Sequence, residues 1–326
     1  MRLSRIVGGC TALQSLYHHI SWKPTGKQQQ TLAAEVRLSG IGLHSGAAAT
    51  ARLFPAMAGE GRYFVAFGRS RIPATIEYAV NSPLCTTLCR GGVRVRTVEH
   101  LLSALEACGV DNCRIEIEGG EEVPILDGSA KHWVEAIGHA GMCEATDFSG
   151  NTKEKMAPVI CDPKYVCRGD TFIIALPSSK FHITYGINFP KVPAIGCQWF
   201  SCSVDAYTYS KQIASSRSFC IYEEIEHMRN AGLIQGGSIE NAIVCSALSG
   251  WLNGPLRFCN EPCRHKILDL IGDFSLFAQN GHQGFPFSHL IAYKMYRLSV
   301  VNFSVTFPAA LLSDFPAIII SFIIKL

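Results

Sequence analysis

The chain has 326 residues and a formal net charge of +3, with 48% hydrophobic and 17% charged residues. That is long and apolar enough for one large folded domain or two ordinary ones, and it excludes a disordered or collagen-like chain. Its basic residues form no stripe over the body of the sequence, so no nucleic-acid patch is expected.

Residues 1–34 carry Arg2, Arg5, Lys23 and Lys27 and no acidic residue. A basic, acid-free start with Ser, Thr and Gln has the composition of an organellar transit peptide, assigned here to residues 1–30. Mitochondrial targeting is the first reading; a plastid leader and an ordinary untargeted N-terminus are the alternatives. There is no uninterrupted apolar run of the secretory type, so the fourteen cysteines read as free thiols. Cys259 and Cys263, with His265 nearby, have the spacing of half a zinc site, but no second pair of ligands follows.

Alternation marks strands over residues 32–38, 49–54, 62–67 and 93–97, with a glycine-bounded turn, Gly40–Gly46, after the first. Thr97 as N-cap and Gly109 as C-cap bound a helix. A strand over Cys113–Ile117 follows, then a turn, Pro124–Ser129, opening a helix over Ala130–Ala140. Phe148–Pro158 is the expected linker between a first unit, 31–150, and a second, 158–298. The second unit repeats the outline: strands near 159–166, 171–176 and 181–187, a helix over Tyr222–Ala231, and a last helix around His265. Strands grouped with helices, without regular β-α-β alternation, give the fold class α+β. Residues 299–326 form an apolar tail. Its apolar run Ala317–Ile324 is too short to span a bilayer, and Asp314 and Pro316 interrupt the longer window, so no stable membrane span is expected.

The chemistry concentrates in two helices. In the last one, His265, Asp269 and Asp273 recur at i, i+4 and i+8 and share a face. Ile267, Leu268, Ile271 and Phe274 fill the rest of the circumference, as in a buried helix. A buried Asp or His needs a partner, and a metal ion is one; a polar edge turned to solvent is the alternative. In the earlier helix, Glu99 and His100 diverge by about 100°. One of them could bind a metal while the other works beside it.

Thr97-Val98-Glu99-His100-Leu101-Leu102, Val110-Asp111-Asn112, Pro124–Ser129, Gly236-Gly237-Ser238 and Arg264–Asp269, preceded by Gly40–Gly46, resemble one family in order and spacing. It is the UDP-3-O-acyl-N-acetylglucosamine deacetylase family, the zinc amidases of lipid A synthesis, and the resemblance covers residues 31–294. It implies an α+β fold of two similar halves, each a small sheet packed on helices, with Zn2+ between them. The zinc ligands would be His100, His265 and Asp269, with the fourth position left for water. Glu99 would be the general base. Ser218, at the family's Thr position, would donate to the oxyanion. Lys266 would meet the substrate's polar head. Leu84, Cys85, Phe219 and residues 221–233 would lie near the sugar and the acyl-chain passage. The expected partner is UDP-3-O-acyl-N-acetylglucosamine, and the expected state a monomer.

One departure stands out. The family continues through Ala-Tyr-Lys to a Gly-His whose His protonates the leaving amine. Here Ala292-Tyr293-Lys294 is followed by Met295-Tyr296-Arg297. Asp273, which would orient that His, is therefore expected to lose its partner, and activity to be impaired, with His282 or His289 as substitutes. A catalytically silent form that binds zinc and nucleotide sugar is the alternative.

Overall fold

The computed structural model describes residues 21–66 and 70–294. Two five-stranded sheets organise it. The first contains β1 (Val36–Ile41), β2 (Ala48–Pro55), β3 (Arg62–Ala66), β4 (Ser70–Pro73) and β5 (Cys113–Glu118), in the order β1-β2-β5-β3-β4. The second contains β6 (Lys164–Arg168), β7 (Thr171–Pro177), β8 (His182–Phe189), β9 (Gly196–Ser203) and β10 (Ser288–Tyr293), in the order β6-β7-β10-β8-β9. The senses match as well: β5 runs parallel to β3 and β10 parallel to β8, while the other neighbours are antiparallel. The fold class is α+β, as expected.

Period-two patterning sets the inner faces. Ala51 and Leu53 of β2 and Cys113 and Ile115 of β5 are fully buried, as are Ile183 and Ile187 of β8 and Ala292 of β10. Five helices accompany the sheets among the described residues: α1 (Glu99–Cys108), α2 (Lys131–Ala140), α3 (Ala206–Gln212), α4 (Tyr222–Asn230) and α5 (Glu261–Phe274). α1 lies in the connection from β4 to β5, and α5 in the connection from β9 to β10. The two helices thus occupy equivalent places in the two strand orders. They pack directly on each other, and one continuous apolar core joins them to both sheets.

Local chemistry explains the helix ends. Gly109 adopts φ +82° and returns its N–H to Leu105 and Glu106, a left-handed cap that glycine makes without steric cost. At the other end, the expected Thr97 cap is not formed. Val98 takes the cap position, and Thr97, at φ +57°, gives its hydroxyl to Glu122 at 2.8 Å. Pro262 opens α5, where its missing N–H costs nothing. Glu261 in the same turn accepts from the backbone N–H groups of Arg217 and Arg257 and from the Arg217 guanidinium.

Three sequence expectations need correction. The run 32–38 is two strands, Gln30–Leu32 and Val36–Ile41, because the first pairs with Met142–Glu144 and the second with β2. The run 159–166 divides between Glu154–Val159 and β6, which belong to different sheets. The expected linker at 148–158 is not all loop: Glu154–Val159 pairs antiparallel with Ser21–Gln28. Lys155 anchors that strand by burying its ammonium against Asp111 at 2.7 Å. Ser21–Gln28 falls within the 1–30 segment read as a leader; residues 1–20 and the tail 299–326 lie outside the described residues. No helix among the described residues is long and apolar enough to cross a membrane.

Candidate metal centre and active site

α1 and α5 touch at backbone distance. A Cβ placed on Gly272 would lie 2.1 Å from the carbonyl oxygen of Glu99, so only glycine permits this crossing. The close approach brings His100 of α1 opposite His265 and Asp269 of α5. All three are buried, which overturns the reading of a solvent-facing polar edge. The Nε2 atoms of His100 and His265 each lie 3.4 Å from the same carboxylate oxygen, Asp269 Oδ1. The two rings meet edge to face with centroids 5.0 Å apart. The donor atoms of the three residues lie within 4.8 Å of one another, and this is the one such group of His, Cys, Asp and Glu among the described residues.

Supporting contacts aim these donors. The Nδ1 of His265 lies 3.0 Å from the Ser216 carbonyl, which holds the proton there and leaves the Nε2 lone pair toward the site. Burial lowers the His265 pKa to about 4, with Asp269 opposing and His100 adding to the shift, so the ring is neutral near pH 7. His100 Nδ1 finds no hydrogen-bond partner among the described residues, and its ring is held by packing against His265. Lys266 donates to the other Asp269 oxygen at 2.9 Å, leaving Oδ1 to the histidines.

Glu99 is buried beside this group, and its Oε2 accepts the backbone N–H of Thr86 at 3.0 Å. The Thr86 hydroxyl donates to Asp273 at 2.6 Å. Asp273 therefore has a partner, contrary to expectation, and one threonine ties it to Glu99. Ser218 Oγ lies 3.3 Å from His265 Nε2 and donates to the Gly128 carbonyl at 3.2 Å. Phe219 stands edge-on to His265, with centroids 6.4 Å apart. Cys85 is buried on the loop that supplies Thr86; burial and the Glu99 charge raise its thiol pKa, but the His44 imidazole and the Ser82 hydroxyl together outweigh them and bring it to about 7. Leu84, just before it, sits at φ +61°, a strained backbone for a branched side chain.

Residues 29–295 match the sequence profile of the UDP-3-O-acyl N-acetylglycosamine deacetylases. The chain belongs to this deacetylase family. It is 56% identical over 282 residues to "Probable UDP-3-O-acyl-N-acetylglucosamine deacetylase 1, mitochondrial" of Arabidopsis thaliana, covering 84% of this chain and 86% of that protein. It is 44% identical over 273 residues to the UDP-3-O-acyl-N-acetylglucosamine deacetylase of Trichormus variabilis, covering 82% of this chain and 93% of the other. The counterpart in Thermosynechococcus vestitus is also 44% identical, over 82% of this chain and 89% of its own length.

Within this deacetylase fold, the Gly40–Gly46 turn carries His44, whose Nδ1 accepts from Ile234 N at 3.4 Å, while Gly236 N donates to the Leu43 carbonyl. The segment after α4 thus docks on the turn beside Cys85. Glu122 pins the turn by accepting from the His44 and Ser45 backbones as well as from Thr97. Sequence reasoning missed Thr86, Ser216 and Glu122. The first acts partly and the second wholly through main-chain atoms, which no motif reveals, and Glu122 lay unread just before the Pro124–Ser129 turn. Neither substitute histidine joins the site. His282 Nδ1 accepts from Met156 N at 3.2 Å, and His289 pairs with Thr184 on the second sheet. Cys259 is exposed, whereas Cys263 is buried and donates to the Tyr185 carbonyl, so the pair does not converge. All described cysteines are free. Arg297 lies outside the described residues.

Proposed function

We propose that this chain hydrolyses the acetamide of UDP-3-O-(3-hydroxyacyl)-N-acetylglucosamine to the free amine and acetate, using zinc held by His100, His265 and Asp269. The observation that carries the reading is the buried triangle of donors with Glu99 at its side. Two imidazole nitrogens, that of His265 neutral and with its far side already engaged, and one carboxylate oxygen are a donor set suited to a hydrolytic zinc with an open position. When bound, zinc polarises a carbonyl and acidifies water. Glu99 takes the water's proton, and the Thr86 N–H holds the carboxylate in place for it. Ser218 turns its hydroxyl toward the developing oxyanion. Lys266 supplies positive charge at the substrate's polar head. Leu84, Cys85, Phe219 and residues 221–233 flank the sugar and acyl chain. The names of the relatives support the substrate and a mitochondrial site of action. The role in lipid A-type (lipid X-type) synthesis and a leader within residues 1–30 rest on the sequence resemblance and on the basic, acid-free start, with a plastid as the alternative destination. The enzyme acts as a monomer of two α+β units, 31–150 and 158–298.

Purified chain is expected to bind one zinc and to release acetate from the UDP-sugar, and His265→Ala to lose the metal. A wild-type chain without zinc affinity sinks the reading.

Turnover is proposed to be attenuated. An arginine cannot cycle a proton near neutrality, so Arg297 leaves the amine without the family's acid, a loss of about 10²–10⁴-fold. Asp273, held by Thr86, remains available to orient a histidine. Arg297→His is therefore expected to raise acetate release at unchanged zinc content. Zinc binding without acetate release in both forms would favour the silent, nucleotide-sugar-binding alternative.

A further inference from the structure

A second buried chain of hydroxyls lies behind the metal centre. Tyr209 of α3 is fully buried, and its hydroxyl donates to Ser103 Oγ at 2.8 Å. Ser103, also fully buried, donates to the Leu268 carbonyl at 2.8 Å. The first two residues sit on different helices, and the carbonyl belongs to a third. Burial raises the Tyr209 pKa well above its usual 10, so it remains a donor at any working pH.

The placement of this chain is specific. Ser103 lies one helical turn after Glu99 on α1, and Leu268 one turn before Gly272 on α5. Glu99 meets Gly272, and Ser103 meets Leu268. Two contacts, one turn apart on each helix, therefore lock the antiparallel register of α1 on α5. His100 and Asp269 stand between the two contacts. The Gly272 contact limits how closely the helices approach, and the Ser103 bond stops them sliding.

Ser103 has a competing option. A helical serine turns readily to the carbonyl four residues back, which here is Glu99 O. Tyr209 draws Ser103 Oγ away from that rotamer and, by donating to it, directs the serine's only proton onto Leu268.

We propose that Tyr209, acting through Ser103, is a positioning residue for the metal centre, fixing the spacing of His100 from His265 and Asp269. The proposal rests on the zinc reading above. The test uses the full-length chain with Tyr209→Phe, Ser103→Ala and the double variant. Zinc dissociation constants come from competition with a chromogenic chelator, the ligand geometry from the absorption of the Co2+-loaded chain, and stability from the urea midpoint of the metal-free chain. Each single variant is expected to weaken zinc about tenfold, in the range of supporting-contact losses, and to change the Co2+ spectrum. The double variant is expected to be no weaker than either single one, because the two hydroxyls act as one unit. An unchanged zinc constant with a lowered urea midpoint overturns the proposal and leaves Tyr209 an ordinary core hydrogen bond. Tyr209→Phe keeps the ring and decides the matter alone if Ser103→Ala does not fold. Because zinc affinity is read without substrate, a wild-type chain that binds zinc but lacks deacetylase activity leaves this test intact; one that binds no zinc refutes both readings.

Discussion

Glu99→Gln will lower acetate release by about 10²–10⁴-fold, the usual worth of a general base, while zinc content stays at the wild-type level. Glutamine keeps the length and shape of the side chain, and its amide oxygen can still accept the Thr86 N–H that holds Oε2 now. What it loses is the basic lone pair that, in the proposed mechanism, takes a proton from water. Glu99 lies on α1 next to His100 but points around the helix from it, so the proposed metal ligands are untouched. Acetate release in steady state, zinc by atomic absorption and the urea midpoint separate the possibilities. Retained activity would place the base elsewhere, with Asp273 the next carboxylate in the Thr86-linked pair.

Gly272→Ala will destabilise the chain by about 1–3 kcal/mol, the cost of overpacking a filled core, and will impair zinc retention with it. In an exposed helix the same change stabilises by about 1 kcal/mol, so the sign is diagnostic. The added Cβ would fall 2.1 Å from Glu99 O and 2.8 Å from its carbonyl carbon. These are main-chain atoms inside a hydrogen-bonded helix and cannot swing away as a side-chain tip would. α1 and α5 must part instead, drawing His100 from Asp269. Denaturant titration of the metal-free chain measures the first effect and chelator competition the second. A raised urea midpoint would mean that the helices are less tightly apposed than the structure has them.

The site was more legible in the sequence than its support. His265, Asp269 and Asp273 announced themselves by helical spacing within an apolar segment, and α5 buries all three. His100 was readable only as half of a Glu-His pair until the resemblance joined it to the distant helix. The long elements with clear periods, α1, α4, α5, β2 and β7, lie close to where they were expected. Edges and main-chain contacts escaped. Nothing in Ser21–Gln28 or Glu154–Val159 signals that each finds its partner in the other, because pairing partners are not encoded in local alternation. Thr97 looked like a cap, but the buried Glu122 carboxylate offers its hydroxyl a stronger, charged acceptor. Asp273 seemed orphaned because its family partner is missing; the Thr86 hydroxyl donates to its Oδ1 from a loop that sequence spacing could not bring there.

The equivalent placement of α1 and α5 in two matching strand orders has a consequence for how the proposed zinc site is assembled. The donors stand half the chain apart and meet only where the two crossover helices cross. A growing or unfolded chain offers a lone His100 at one end and a His-Asp pair at the other, neither of which makes a three-donor site. Closing so long a loop carries an entropy cost, and the ordered core that packs α1 on α5 meets it when the chain folds. On the zinc assignment proposed above, loading and folding are one equilibrium: zinc draws the population toward the native state by mass action, and any change that loosens the helix crossing is felt as weaker metal affinity.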